Sequence, residues 1–165
     1  MIVMFKIGTP MKTSMAVIED AKQILRLQKM AYQSEAQIYH NYNIPPLTQT
    51  IAEIKAELDT HTFFKTVAEN NIIGSVRAYS DETSCFIGRL IVHPDIQGQG
   101  IGTRLMKTIE AHFSDVQRYE LFTGTRSVAN IRLYDRLGYK PFKELAVDKT
   151  LSLVFMEKAG NAGMR

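Results

Sequence analysis

The hydrophobic period changes near residue 62, and that change limits the fold more than any other feature. Between Asp20 and Leu58 apolar residues recur at helical spacing. Ile24, Leu27, Ala31 and Ile38 fall close to one face of a helix starting at Asp20, a plausible N-cap, with Lys22, Arg26 and Lys29 away from it. Pro45-Pro46 should end that helix, because a residue before proline disfavours the helical basin. Ile51, Ile54 and Leu58 predict a second helix over 50–59. From residue 63 the period is two. Residues 63–69, 72–80 and 85–92 read as three antiparallel strands in succession, with turns at Asn70-Asn71 and Asp81-Glu82-Thr83.

The flanking elements complete the order. Residues 13–18 suit a first strand. A glycine-rich turn at 97–102 leads into a helix to about Phe113, with Ile101, Leu105, Ile109 and Phe113 as its core face. Tyr119–Thr123 is a strand. Residues 127–137 are a helix, with Ser127 as N-cap and Gly138 as C′ residue. Strands near 140–147 and 150–156 form a last hairpin around Asp148-Lys149. The order β-α-α-β-β-β-α-β-α-β-β predicts a single-domain mixed α/β fold over 13–157, its mostly antiparallel sheet flanked by helices. Residues 1–12 read as a loose leader and 158–165 as a frayed tail.

At 165 residues the chain can bury one core without disulfides or metals. Its 45% hydrophobic and 22% charged residues exclude a disordered chain, a collagen repeat and a disulfide mini-protein. The net charge of +3 is too small a surplus to point to a nucleic-acid partner. Cys85 stands alone, so the expected location is a reducing cytoplasm. The apolar run at the N-terminus is too short for a signal peptide, and no stretch has the roughly 20 apolar residues of a membrane span. His40, His61, His93 and His112 lack metal-site spacing, so no metal is expected.

The turn Gln97-Gly98-Gln99-Gly100-Ile101-Gly102-Thr103 carries the chemistry. Glycines between a strand and a helix let backbone amides converge, and the helix start adds a positive dipole end, which suits a pyrophosphate. A Rossmann fingerprint counted from Gly98 would need glycine where Thr103 stands. The turn also comes after an antiparallel meander, the wrong context for a first βαβ unit. A Walker loop would need Gly-Lys-Ser/Thr, and this turn has Gly-Thr-Arg. The bland alternative is a helix start with no ligand.

Gln97-x-x-Gly100-x-Gly102, after a strand ending Leu90-Ile91-Val92-His93-Pro94, resembles the acyl-CoA-binding motif of the GNAT N-acetyltransferase superfamily. The run Ser127-x-x-Asn130-x-x-Leu133-Tyr134-x-x-x-Gly138-Tyr139 is similar to that family's second signature. The resemblance implies acetyl-CoA as co-substrate and direct attack by an acceptor amine in a ternary complex. It implies a gap between strands 85–92 and 119–123, where main-chain groups of Leu90, Ile91 and Val92 meet the pantetheine arm as an added strand would. A backbone amide near Val92 could polarise the thioester carbonyl. Gln97 and the amides of Gly98, Gln99, Gly100, Ile101, Gly102 and Thr103 would bind the pyrophosphate. Ser127, where many relatives carry asparagine, and Asn130 would face the cofactor.

Tyr134 occupies the family's general-acid position. Phe122 stands where some relatives carry a glutamate base, which leaves Glu120, two residues back on the same face, as the candidate base. His93 is a second candidate by chemistry, or a turn residue. Cys85 reads as a small buried hydrophobe. The family's acceptor pocket maps to the tyrosine- and amide-rich stretch 32–46. There Glu35 and Tyr39, at i and i+4, share a face on which a carboxylate could receive an ammonium group. The expected partner is a small-molecule or peptide amine, with no nucleic acid and no membrane. Arg104, Lys107, Arg126, Arg132 and Arg136 suit the phosphates of CoA, or are solvated. Many relatives dimerise, so the edge of the terminal hairpin is a candidate homodimer surface. The competing reading is a non-catalytic acyl-CoA-binding or regulatory module.

Overall fold

A computed structural model describes Lys6 and residues 8–164. Half of the expected leader, residues 1–5 and 7, lies outside the described residues, as does the last residue of the expected tail. The helical half divides more finely than periodicity predicts, into α1 (Ala21–Ala31), α2 (Gln33–Tyr39), α3 (Pro45–Thr48) and α4 (Ile51–Thr60). The single helix expected from Asp20 breaks at Tyr32, which has φ −84° and ψ 0°. It ends at His40, whose φ of 49° is left-handed.

The reason for the division is tertiary. Gln28 is buried in the middle of α1, where its Nε2 donates to the Pro46 carbonyl and to Gln49 Oε1, both at 2.9 Å. A buried amide needs such partners, and supplying them brings the chain after α2 back across α1. Asp20 does not cap α1, because its carboxylate accepts from Val17 N and from Lys65 Nζ at 2.7 Å. Thr50 does cap α4, accepting from Glu53 N.

The strands are β1 (Lys12–Met15), β2 (Thr62–Ala68), β3 (Asn71–Ser80), β4 (Ser84–Val92), β5 (Arg118–Gly124), β6 (Lys140–Ala146) and β7 (Ser152–Ala159). They form one mixed sheet in the order β1-β2-β3-β4-β5-β7-β6. Each neighbouring pair is antiparallel except β4 with β5. Helices α5 (Ile101–His112) and α6 (Val128–Arg136) come after β4 and β5. The expected mixed, mostly antiparallel sheet flanked by helices is thus what the chain forms.

The sheet separates two cores. On one face Ile24 and Leu27 of α1 meet Phe63, Ile72 and Ile91. On the other, Leu105, Met106 and Ile109 of α5 meet Ile73, Val76, Ile87 and Leu121, with Tyr134 and Tyr139 beside them. The segment expected to fray from residue 158 begins inside β7. Beyond it Gly160 N and Ala162 N donate to the carbonyls of Gln117 and Val116. No helix among the described residues is long and apolar enough to cross a membrane.

Candidate functional site

The site begins with a fault in β4. Arg77 pairs with Gly88 and Ser75 with Ile91, so two steps along β3 match three along β4. The extra residue is a bulge, and Arg89 within it has a left-handed φ of 49°. An odd insertion swaps the faces of every residue downstream of it in the strand. Ile87 accordingly lies in the α5-side core, while Ile91, four residues on, lies in the α1-side core. Parallel pairing with β5 covers only Ser84–Phe86 against Arg118–Glu120. Beyond it β5 stays paired with β7 as far as Gly124. The two strands part, and the β5-facing edge of β4 from Gly88 onward is left unpaired.

A cleft of about 600 Å³ opens at this parting. Leu90, Ile91 and Val92 line it from β4. Gln97, Gly98, Gly100, Ile101, Gly102 and Thr103 line it from the glycine turn and the start of α5. Ser127, Asn130 and Arg136 come from the α6 side, and Tyr32 and Glu35 from α1–α2. The structure therefore brings most of the expected cofactor residues to one cavity, with Gln99 beside them in the turn. Glu35 joins them. Tyr39, Glu120 and Tyr134 do not line the cleft.

Gly98 and Gly100 have φ of 80° and 83°, and a Cβ on either would meet nothing within 4 Å. Their requirement is the left-handed backbone, not space. That twist delivers α5 with no side chain capping its start. Arg104 N bonds the Gly100 carbonyl, so the amides of Ile101, Gly102 and Thr103 precede the first helical bond. Free amides with the dipole behind them form an anion site. A second hollow, of about 510 Å³, adjoins this turn between Gly100, Thr103, Arg104 and Lys107.

Ser127 does not cap α6 with its side chain. Its Oγ donates to Glu35 Oε2 at 2.5 Å and lies 2.9 Å from the Tyr39 hydroxyl, which accepts from Arg126 N. With the Tyr39 hydroxyl spent as donor on Ser127, the chain runs from Arg126 N through Tyr39 and Ser127 to Glu35. Asn130 Nδ2 adds contacts of 3.3 Å to Thr123 Oγ1 and 3.4 Å to Glu35 Oε1. The expected acceptor pair is thereby split. Tyr39 is a buried pin joining α2 to the start of α6, and Glu35 carries its charge in the cleft.

The other candidates separate by burial and partner. Tyr134 is buried, its ring edge-on to Tyr139. Burial pushes its pKa above the phenol range, with the charges of Tyr32 and Glu35 adding to the rise. It keeps its proton at neutral pH, and its hydroxyl has no hydrogen bond to the described residues. Glu120 is held by Arg118 at 2.8 Å, and Arg118 also binds Glu157. It pairs at the level of Phe86, before the strands part. His93 Nδ1 accepts from Asp95 N and so caps a short 3-10 turn, Pro94–Ile96. Cys85 is fully buried. Among the described residues no cluster of His, Cys, Asp or Glu could hold a metal ion.

Tyr32 belongs to the stretch already marked as acceptor-lining. Arg89, whose guanidinium carbon lies 5.9 Å from the Tyr32 ring centroid, is a residue sequence reasoning missed. The bulge that places it depends on pairing with β3, and no local pattern announces it.

Comparison with known proteins agrees with this geometry. The model of the Acetyltransferase (GNAT) family matches residues 21–139. A curated relative, the UPF0157 protein YqkA of Bacillus subtilis (strain 168), is 30% identical over 121 residues, 73% of this chain. The chain spans only 34% of that relative's length. An N-acetyltransferase from Staphylococcus aureus Mu50 superposes with a TM-score of 0.75 at 19% identity, covering 92% of this chain and 99% of its own. The yncA protein of Salmonella typhimurium, solved with its cofactor acetyl-CoA, superposes at 0.69 with 18% identity, covering 90% and 93% of the two chains.

Proposed function

The chain belongs to the GNAT acetyltransferase family, and from that premise we propose that it moves the acetyl group of acetyl-CoA to an amine of a small-molecule or peptide acceptor, by direct attack in a ternary complex. The observation that carries this reading is the parting of β4 and β5 beside the uncapped start of α5. The unpaired edge of β4 suits an extended amide-bearing arm, which would bond it as a strand does. The amides after Gly100 suit a pyrophosphate. Arg136 at the cleft and Arg104 and Lys107 around the adjoining hollow suit a further phosphate. A reducing cytoplasm suits the single thiol.

Acetyl-CoA would supply the activated acetyl thioester. Tyr134 would hold the proton needed by the departing sulfur, since burial keeps its hydroxyl neutral and no described residue competes for it. Glu35, held toward the cleft by Ser127, would receive the proton or the ammonium form of the attacking amine. Glu120, occupied by Arg118 outside the cleft, is less suited to that task than Glu35.

Calorimetric titration with acetyl-CoA, beside NADH and ATP, tests the premise of this reading. Selective micromolar binding of acetyl-CoA is expected. Equal binding of all three, or none, overturns it. Tyr134→Phe should keep that affinity and lose about 100-fold or more in turnover. Unchanged turnover would remove Tyr134 from the mechanism. Binding with no turnover of any amine would leave a CoA-binding module.

A further inference from the structure

Arg89 is expensive to place and only partly matched where it stands, a hydrogen bond to the Tyr32 hydroxyl being set against an orphaned Nε. A non-glycine residue at left-handed φ is strained, because its Cβ crowds the following carbonyl. Its Nε is buried and has no hydrogen-bond partner among the described residues. A buried donor left unpaired in a native fold calls for an explanation, and a ligand is one. No carboxylate among the described residues forms an ion pair with Arg89. The nearby Arg77, opposite Gly88 on β3, is already paired with Glu57. Burial and the charge of Arg89 together hold the Arg77 guanidinium down to about 10, which places two cations within reach of each other against one carboxylate.

Arg89 is not itself among the residues that line the cleft, but its neighbours are. Leu90, next along β4, lines the cleft, and so does Tyr32, over whose ring the Arg89 guanidinium lies. Glu35 stands one helical turn beyond Tyr32, with Oε2 bound by Ser127 and Oε1 touched only by Asn130 at 3.4 Å. Burial raises the pKa of the Tyr32 hydroxyl, the charge and hydrogen bond of Arg89 oppose the rise, and the Glu35 charge adds to it. Around one cleft-lining aromatic ring the structure thus gathers a negative group, Glu35, and a positive group, Arg89.

We propose that the acceptor carries an anionic group, carboxylate or phosphate, a few bonds from its amine, and that Arg89 binds this anion while Glu35 faces the amine. The proposal rests on the transferase reading above and names the acceptor class within it. A neutral alkylamine would leave the Arg89 donor unpaired. A basic peptide tail would bring positive charge to a place that already has too much. A guanidinium matches carboxylate and phosphate alike with paired donors, so the two are distinguished by the test.

The test measures thiol release from acetyl-CoA with paired acceptors. Free amino acids are run beside their carboxamides, and aminoalkyl phosphates beside the corresponding amino alcohols. The wild-type protein should prefer the anionic member of at least one series by about 10- to 100-fold in kcat/KM, the worth of a charge-assisted hydrogen bond. Which series shows the preference identifies the anion. Arg89→Gln should collapse that preference toward one, chiefly through KM, and Arg89→Lys should restore part of it. Affinity for acetyl-CoA, titrated on the same preparations, reports whether each variant is folded. Should Arg89→Gln not fold, the wild-type ratio decides alone. Equal use of both members of each pair overturns the proposal. So does an Arg89→Gln variant that keeps the wild-type preference, or a wild type that binds acetyl-CoA and acetylates no anionic amine. Failure of the wild type to bind acetyl-CoA is a different result, and it removes the transferase reading itself.

Discussion

The Cys85 thiol lies fully inside the sheet, and loss of hydration pushes it up to about 12, with Glu110 adding to the shift. Tyr119 is pushed up to about 12 for the same first reason, and Tyr134 and Tyr139 are raised further. In the unfolded chain these groups titrate near 9 and 10. Above about pH 9 the unfolded chain therefore releases protons that the folded chain keeps. Stability present below that pH is lost as pH rises toward 12, at up to about 1.4 kcal/mol per pH unit for each group. Arg77, held down to about 10, opposes this trend above that pH, as one group against several. Urea midpoints should hold from pH 7 to 9 and fall from 9 to 11. A level midpoint would mean these groups are hydrated. Cys85 should likewise resist thiol reagents until urea unfolds the chain.

At the scale of elements, α2 depends on the latch between Tyr39 and Ser127. Gly124 at the end of β5 permits it, because a Cβ there would overlap the Tyr39 hydroxyl and crowd Ser127 Oγ. Gly124→Ala should cost about 1–3 kcal/mol, the usual result of overpacking. Glu35 should lose its orientation with the latch, so KM for the acceptor should rise as well. Urea unfolding and steady-state kinetics read the two effects, and a fully stable variant with unchanged KM would show that the latch is dispensable. The elements that sequence reveals here are those specified locally. Alternation and turn residues mark β2 through β4, and the glycine turn marks the start of α5. The division of α1 from α2 is not local, since it arises from Gln28 seeking partners at Pro46 and Gln49. Ser127 looks like any helix cap in sequence, and only α2 folding against it shows that its hydroxyl is used elsewhere. The glycines that line the cleft are legible in sequence because backbone twist demands glycine, whereas Arg89 depends on a register that no neighbouring residue encodes.

Across the whole molecule the sheet is a partition whose two halves are covered differently. Helices pack on both faces of β3 and β4. Around β5, β7 and β6, Phe122 and Phe142 remain exposed on either side of Phe155, and every residue of β6 is exposed. Between these halves lies the cleft, so the least paired part of the sheet is also where the chemistry is proposed. The bulge at Arg89 sits in the strand, β4, that serves both cores and the cleft together. Its consequence is clearest in genetic terms. Loss of the single codon for Arg89 would restore regular alternation and leave the flanking side chains on their present faces, with Ile91 three positions from Ile87 and still on the opposite face. That in-frame deletion should therefore be tolerated by both cores, with expression and thermal stability close to those of Arg89→Gln. A deletion far less stable than Arg89→Gln would show that the bulge holds the strand by something other than its assignment of faces. In a lineage of such chains, loss of the one residue at this point of β4 should therefore be absorbed without exchanging inside and outside.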